Sequence, residues 1–114
     1  MASSTVNVIS PVEAKTKLDS GDAVTVDVRM AYDWAGGRVR GSINLPNLAI
    51  QYRSPEIPEG KEVIFYGKNN TKANEAAQKA LDLGFSTVYV IDGGFDSWLE
   101  AGLPSESITG GGVS

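Results

Sequence analysis

The sequence contains neither cysteine nor histidine among its 114 residues. Without cysteine the chain can form no disulfide, no thiolate nucleophile and no persulfide. Because histidine is missing as well, the usual zinc ligands are absent, and no acidic segment has the spacing of a calcium-binding loop. We therefore expect no metal ion and no other cofactor.

The sequence also lacks long apolar runs and an excess of positive charge. No run approaches the roughly 20 apolar residues that a membrane-spanning helix needs, and the amino terminus does not resemble a signal peptide. The net charge of −4 disfavours binding to nucleic-acid phosphates, with Arg38, Arg40 and Arg53 as a local exception. We expect a cytoplasmic protein with no membrane and no nucleic-acid partner, although a piece of a longer precursor would show the same features.

The composition that remains is that of a globular domain, with 41% hydrophobic and 21% charged residues. β-Branched and aromatic runs predict strands at 6–9, 24–28, 43–45, 63–66 and 87–91. Helical spacing and capping signals predict helices at 11–19, 30–35, 46–52, 73–81 and around 95–99. Because strands and helices alternate, we predict a three-layer α/β fold with about five mainly parallel strands and helices on both faces. Trp34 and Trp98 are predicted to be core residues.

Ligands in such sheets bind beyond the carboxyl ends of the strands. Three turns fit this description, those after Val28, Tyr66 and Ile91. The second is the best candidate for a site, because it leads from a buried strand through a predicted six-residue loop, 67–72, into a helix.

The candidate loop has features that suit an anion. Backbone amides converge where the helix begins and carry partial positive charge. The candidate anion ligands are Lys68, Asn69, Asn70, Thr71 and Lys72. Alternatives remain for three of them, since Thr71 is expected to cap the helix and the two lysines could be a solvated pair. The loop contains no strong nucleophile, so no catalytic residue is predicted.

Four residues at the rim of the predicted pocket are assigned structural roles. Asp27 and Arg29 flank a strand end and are expected to form a pair, with Arg29 also bonding Asp33. Gly93 and Gly94 are expected to supply the turn that begins the last helix.

The sequence resembles single-domain rhodaneses from about Val6 to Pro104, because about eight short motifs occur in the order and spacing of that family. The motifs are Asp27-Val-Arg29, Tyr32-Asp-Trp34, 37–46, 63–66, Leu83-Gly-Phe85, Val88-Tyr-Val90, 93–98 and 101–104. This resemblance implies a rhodanese-like domain at 6–105, preceded by an amino-terminal extension at 1–5 and followed by a flexible tail at 106–114.

The resemblance also implies where sulfur chemistry would occur. In active rhodaneses a cysteine after the fourth strand takes a sulfane sulfur, as from thiosulfate, and begins a loop that commonly reads Cys-x-x-Gly-x-Arg-Ser. The matching residues here are 67–73, in which Gly67 holds the cysteine position, Asn70 the glycine position and Lys72 the arginine position. Glycine cannot be sulfurated, and lysine lacks the planar fork with which arginine holds two oxygens.

Three hypotheses follow from the resemblance and its departures. The leading one is a catalytically inactive rhodanese-like domain that acts as a binding or regulatory module for an unknown protein partner or parent chain. In the second, residues 67–72 still bind a small inorganic anion. In the third, the chain is a sulfurtransferase enzyme whose cysteine position became Gly67 by mutation or engineering.

Overall fold

The computed structural model describes residues 5–107, which fold around a sheet of five parallel strands. Its strands are β1 (Val6–Ile9), β2 (Ala23–Asp27), β4 (Ile43–Asn44), β5 (Glu62–Tyr66) and β6 (Val88–Ile91). Their order across the sheet is β1-β6-β5-β2-β4, so β5 and β2 pair in its centre. The predicted three-layer α/β fold is confirmed, and each of the five predicted strands is correct to within one residue at either end.

Helices cover both faces of the sheet. They are α1 (Pro11–Asp19), α2 (Ala31–Gly36), α3 (Ile50–Arg53), α4 (Asn70–Asp82) and α5 (Gly94–Glu100), with 3₁₀ turns at Asn47–Ala49 and Ser54–Glu56. The predicted capping box of α1 is present, because Glu13 N donates to Ser10 Oγ at 3.1 Å and Ser10 N donates to Glu13 Oε1 at 3.2 Å. None of the helices among residues 5–107 has the length and apolarity to cross a membrane.

Two apolar cores lie on opposite faces of the sheet. Alternation along β5 sends Val63 and Phe65 into the core beneath α4, and Ile64 and Tyr66 into the core beneath α5. Four alanines of α4 are fully buried at helical spacing, which lets this helix lie close to the sheet: Ala73, Ala76, Ala77 and Ala80. The central strands are therefore buried at nearly every position, as expected for a sheet covered on both faces.

The two tryptophans have different environments. Trp98 is 1% exposed and lies in the core under α5, as predicted. Trp34 is only half-buried, so its predicted core role is wrong. Its ring lies 4.0 Å from the Arg38 guanidinium, and its indole N–H donates to the backbone oxygen of Ser42 at 3.2 Å. The short helix α2 has no buried residue and leaves Trp34 at the edge of the domain.

A second, two-stranded sheet was not predicted. Strand β3 (Arg38–Val39) pairs antiparallel with β7 (Ser105–Glu106). Glu106, which the sequence assigned to the tail, accepts hydrogen bonds from Arg38 Nε at 3.2 Å and from Gly41 N at 3.1 Å. The rest of the predicted tail, 108–114, and residues 1–4 of the predicted extension lie outside the described residues.

Candidate functional site

A cleft of about 650 Å³ opens where β2 and β5 end. Three segments line it: residues 28–30 with Asp33, residues 46–49 with Tyr52, and residues 67–69 with Lys72. This is the position expected for a ligand crevice in a parallel sheet. The turn after β6 does not line the cleft but packs behind residues 67 and 68.

The loop after β5 is shorter than predicted. Helix α4 begins at Asn70, so only residues 67–69 form the loop and the expected six-residue loop is wrong. Asn69 caps the helix, because its side-chain oxygen accepts a hydrogen bond from Thr71 N at 3.0 Å. The expected cap, Thr71, is instead in the first turn of the helix, as are Asn70 and Lys72.

Asn70 joins this helix to the turn after β6. Its amide Nδ2 donates to Asp92 Oδ1 at 3.0 Å, and its Oδ1 accepts from Gly93 N at 2.8 Å. Both polar atoms of the Asn70 side chain thus hold the two loops together. An anion at this edge would have to displace Asp92 to accept a hydrogen bond from Asn70 Nδ2.

Two glycines allow the backbone of this turn to approach the loop after β5. Gly94 has a φ of +67°, and a Cβ atom at this position would lie 2.3 Å from Gly67 O. Gly93 has a φ of +81°, and its Cβ would lie 1.8 Å from Ser97 Oγ. The close approach lets Phe95 N donate to Gly67 O at 2.9 Å. Glycine is therefore required here for both conformation and space.

Gly67 itself has a different environment. It is buried at the floor of the cleft, and its φ is not in the positive region that favours glycine. A Cβ atom would lie 3.3 Å from Val28 Cγ2 and 3.4 Å from Asn69 O. A small side chain would fit after shifts of a few tenths of an ångström. The backbone does not demand a glycine at this position.

A buried ion pair supports the opposite side of the cleft floor. Arg29 Nη2 donates to Asp27 Oδ2 at 2.7 Å and to Gly37 O at 2.5 Å, and Asp27 is fully buried. Burial opposes the charge of Arg29, but the hydrogen bonds and charge of Asp27 prevail and raise its pKa. The guanidinium also lies 4.7 Å from the centre of the Phe95 ring. Arg29 is held by Asp27 and Gly37 rather than by Asp33, so that expected bond is wrong.

Tyr66, at the end of β5, is buried behind this pair. Burial, reinforced by the negative charge of Asp27, raises the pKa of the Tyr66 phenol far above its usual value. Its oxygen accepts from Val39 N at 3.0 Å and lies 3.1 Å from Ser42 Oγ. The neutral phenol therefore ties β5 to β3 and to the turn that follows it, and it is not exposed as an acid or base.

The two lysines predicted to bind an anion are exposed. Lys72 Nζ lies 3.7 Å from Glu75 Oε1, and the side chains of Lys72 and Glu75 are 66% and 48% exposed. Lys68 has no ion pair among residues 5–107. Over the same range, no three acidic side chains gather in a way that could hold a metal ion.

The wall formed by residues 46–52 was not predicted to belong to the site. Ile50 is fully buried, whereas Leu48 and Tyr52 on the same wall are 80% and 76% exposed. Met30, which also lines the cleft, is 62% exposed. The sequence signal was the spacing of Leu48, Ile50 and Tyr52 in a short helical segment, which presents apolar residues to more than one side.

Fold and site together define an α/β domain with a cleft at the carboxyl ends of β2 and β5. A family model for the rhodanese-like domain matches residues 10–101. The chain is 30% identical over 98 residues to the thiosulfate sulfurtransferase GlpE of Glaesserella parasuis, which covers 86% of this chain and 91% of that protein. It is 29% identical over 86 residues to a sulfurtransferase of Allochromatium vinosum, which covers 75% of this chain and 80% of that protein.

A solved structure agrees with these matches. The thiosulfate sulfurtransferase of Pseudomonas aeruginosa superimposes with a TM-score of 0.83 over 93% of this chain and 20% of that longer one, at 18% identity, which shows the fold alone. The chain therefore belongs to the rhodanese-like domain family. Within that family, it lacks the cysteine on which persulfide chemistry depends.

Proposed function

We propose that this chain is a catalytically inactive rhodanese-like domain that works as a binding or regulatory module. The observation that carries the proposal is Gly67 on the floor of the cleft, directly after β5, in a sequence without cysteine. Sulfur transfer through a persulfide needs a thiolate, and glycine offers only hydrogen. The proposed partner is a protein, either a separate one or the remainder of a longer chain.

The form of the cleft supports a binding role. Its loop after β5 is held by the cap at Asn69, by the Asn70 side chain and by the hydrogen bond from Phe95 N to Gly67 O. Gly67 has no side chain that could act as a nucleophile, yet the contacts that hold the loop in shape are present. A preformed cleft of about 650 Å³ is within the usual size range of ligand sites.

Sulfur transfer from thiosulfate to cyanide tests the absence of catalysis. We expect the purified protein to form thiocyanate no faster than a heat-treated sample, with the Glaesserella parasuis relative as the positive control. Turnover above the heat-treated background would show that another group does the chemistry and would overturn the proposal.

A second candidate function is binding of a small inorganic anion by residues 67–72. Lys68, without an ion pair in the described chain, and the positive end of α4 favour it. Titration of ¹⁵N-labelled protein with thiosulfate, sulfate and phosphate would shift the amides of 68–72, and Lys68→Ala would weaken the effect while Lys15→Ala would not. Unchanged loop amides at millimolar anion would end this candidate.

The third hypothesis, an enzyme altered at Gly67, gains support from the ordinary φ of this residue and the space around it. This hypothesis also predicts that the chain with Gly67 does not transfer sulfur. The cytoplasmic location stays a prediction.

A further inference from the structure

We propose that the cleft docks a partner's peptide segment in which a bulky apolar side chain lies next to aspartate or glutamate. The proposal rests on the binding role proposed above and names the chemistry of the partner. The docking surface consists of the apolar side chains of Met30, Leu48 and Tyr52 together with Lys68 and Lys72. All five residues line the cleft.

The apolar half of the docking surface is unusually exposed. Of the eight large hydrophobic side chains that are exposed among residues 5–107, three line this one cleft: Met30 at 62%, Leu48 at 80% and Tyr52 at 76%. Val28 and Ala49 continue the apolar lining toward the floor. Large apolar side chains gathered at a concave site mark places where proteins bind other molecules, and methionine and tyrosine are enriched in protein interfaces.

The wall formed by residues 46–52 is anchored to the rest of the domain. The exposure of Leu48 and Tyr52 therefore does not come from a loosely placed segment. Asn47 N donates to Val28 O at 3.1 Å, and Asn47 Nδ2 donates to Glu75 Oε1 at 3.0 Å. Lys79 Nζ donates to Asn47 O at 3.2 Å, and Ile50 is fully buried in the core beneath α4. Leu48 and Tyr52 are thus held out toward the cleft before any partner arrives. A backbone segment that is already ordered loses less entropy on binding.

The charged part of the docking surface is positive. The charged residues that line the cleft are Arg29, Lys68 and Lys72 against Asp33 alone. Arg29 is neutralised by the buried Asp27, and Lys72 has only a long, exposed contact with Glu75, so the lysines remain available. This local excess stands out in a chain of net charge −4. Charge complementarity therefore favours an acidic partner.

An acidic peptide with a bulky apolar residue can contact both the apolar side chains and the lysines of the docking surface. An inorganic anion would engage the lysines but leave Leu48 and Tyr52 uncovered. A second copy of this chain carries a net charge of −4 as well, so it would add like charge outside the cleft, whereas a short peptide contacts the cleft alone. A short linear segment can place its apolar side chain against the wall and its carboxylates against the lysines.

Selection from a phage-displayed library of random peptides of about 12 residues on the whole chain tests the proposal. We expect the enriched peptides to share a bulky apolar residue flanked by Asp or Glu. Synthetic copies of these peptides should bind about tenfold more weakly to Leu48→Asp and to Lys68→Glu/Lys72→Glu, and binding should fall with added salt.

Matched controls lie on α1. Val12 is 60% exposed and Lys15 is a partly exposed lysine that pairs with Asp19 outside the cleft, so Val12→Asp and Lys15→Glu should leave peptide affinity unchanged. Circular dichroism and thermal unfolding would show that all variants fold.

Several results would overturn the docking proposal: no enriched peptides, enriched peptides without acidic residues, or binding that ignores the cleft substitutions. Sedimentation showing a dimer that Leu48→Asp dissociates would assign the surface to a second copy instead. The thiocyanate assay tests the proposed inactivity separately from peptide binding. The two experiments therefore distinguish three cases: an active chain that binds no peptide, an inactive chain that binds none, and an inactive chain that binds acidic peptides.

Discussion

The cleft has buried supports and an exposed surface, and the two are built differently. The buried supports are the Asp27–Arg29 pair and the turn after β6, where Phe95 N donates to Gly67 O. The exposed surface has lysines with few partners and apolar side chains open to solvent, above the buried Gly67. The difference teaches that separate residues determine the shape of the cleft and the groups that it offers to a ligand.

Arg29→Met should have the largest effect, because it leaves the fully buried Asp27 carboxylate without its charge partner. We expect a loss of about 3–5 kcal/mol in the free energy of unfolding, measured by urea denaturation. Arg53→Met is the control, since Arg53 pairs with Glu56 at the surface and its loss should cost less than about 1 kcal/mol. Equal losses in the two variants would show that the buried pair does not support the cleft.

Gly94→Ala should have the next largest effect, because its Cβ would lie 2.3 Å from Gly67 O at a φ of +67°. We expect a loss of about 3 kcal/mol and displaced amide resonances in residues 67–69. Gly41→Ala isolates the conformational part, since Gly41 has a φ of +80° but no atom within 4 Å of a Cβ, and should cost about 1 kcal/mol. If Gly94→Ala lowered the free energy of unfolding no more than Gly41→Ala, the close approach of Gly94 to Gly67 O would not constrain this position.

Asn69→Ala should have a smaller effect, because it removes the cap of α4. We expect a loss of about 1 kcal/mol by urea denaturation. Thr71→Ala, two positions along, should cost less than half as much, because Thr71 offers its backbone N–H rather than its hydroxyl to the cap. The reverse order would restore the capping role that the sequence first suggested for Thr71.

Gly67→Cys should have the smallest effect on stability, within about 1 kcal/mol of the starting protein, because the position tolerates a side chain. We expect a gain of weak sulfur transfer from thiosulfate to cyanide, since the supports of the loop are in place. A folded but silent variant would show that Asn70 and Lys72 also prevent catalysis, which the triple variant Gly67→Cys/Asn70→Gly/Lys72→Arg would then test.

The sequence predicted the sheet better than the site. Strands such as β5 and β6 are nearly continuous apolar runs, and runs of this kind are typical of buried parallel strands. The buried pair of Asp27 and Arg29 was also predicted, because residues two apart at a strand end share one edge. Loop contacts between distant segments, such as Asn70 with Gly93 and Glu106 with Gly41, leave no local pattern.

The sequence alone determined that this chain has no thiolate, because the absence of cysteine needs no coordinates, and local patterning determined an alternating α/β fold. Tertiary structure alone decided that the helix after β5 begins at Asn70 and that Leu48 and Tyr52 face the same cleft as Lys68. The physical reason is range: strand and helix patterns arise from neighbouring residues, whereas a cleft forms from segments that meet only when the sheet assembles.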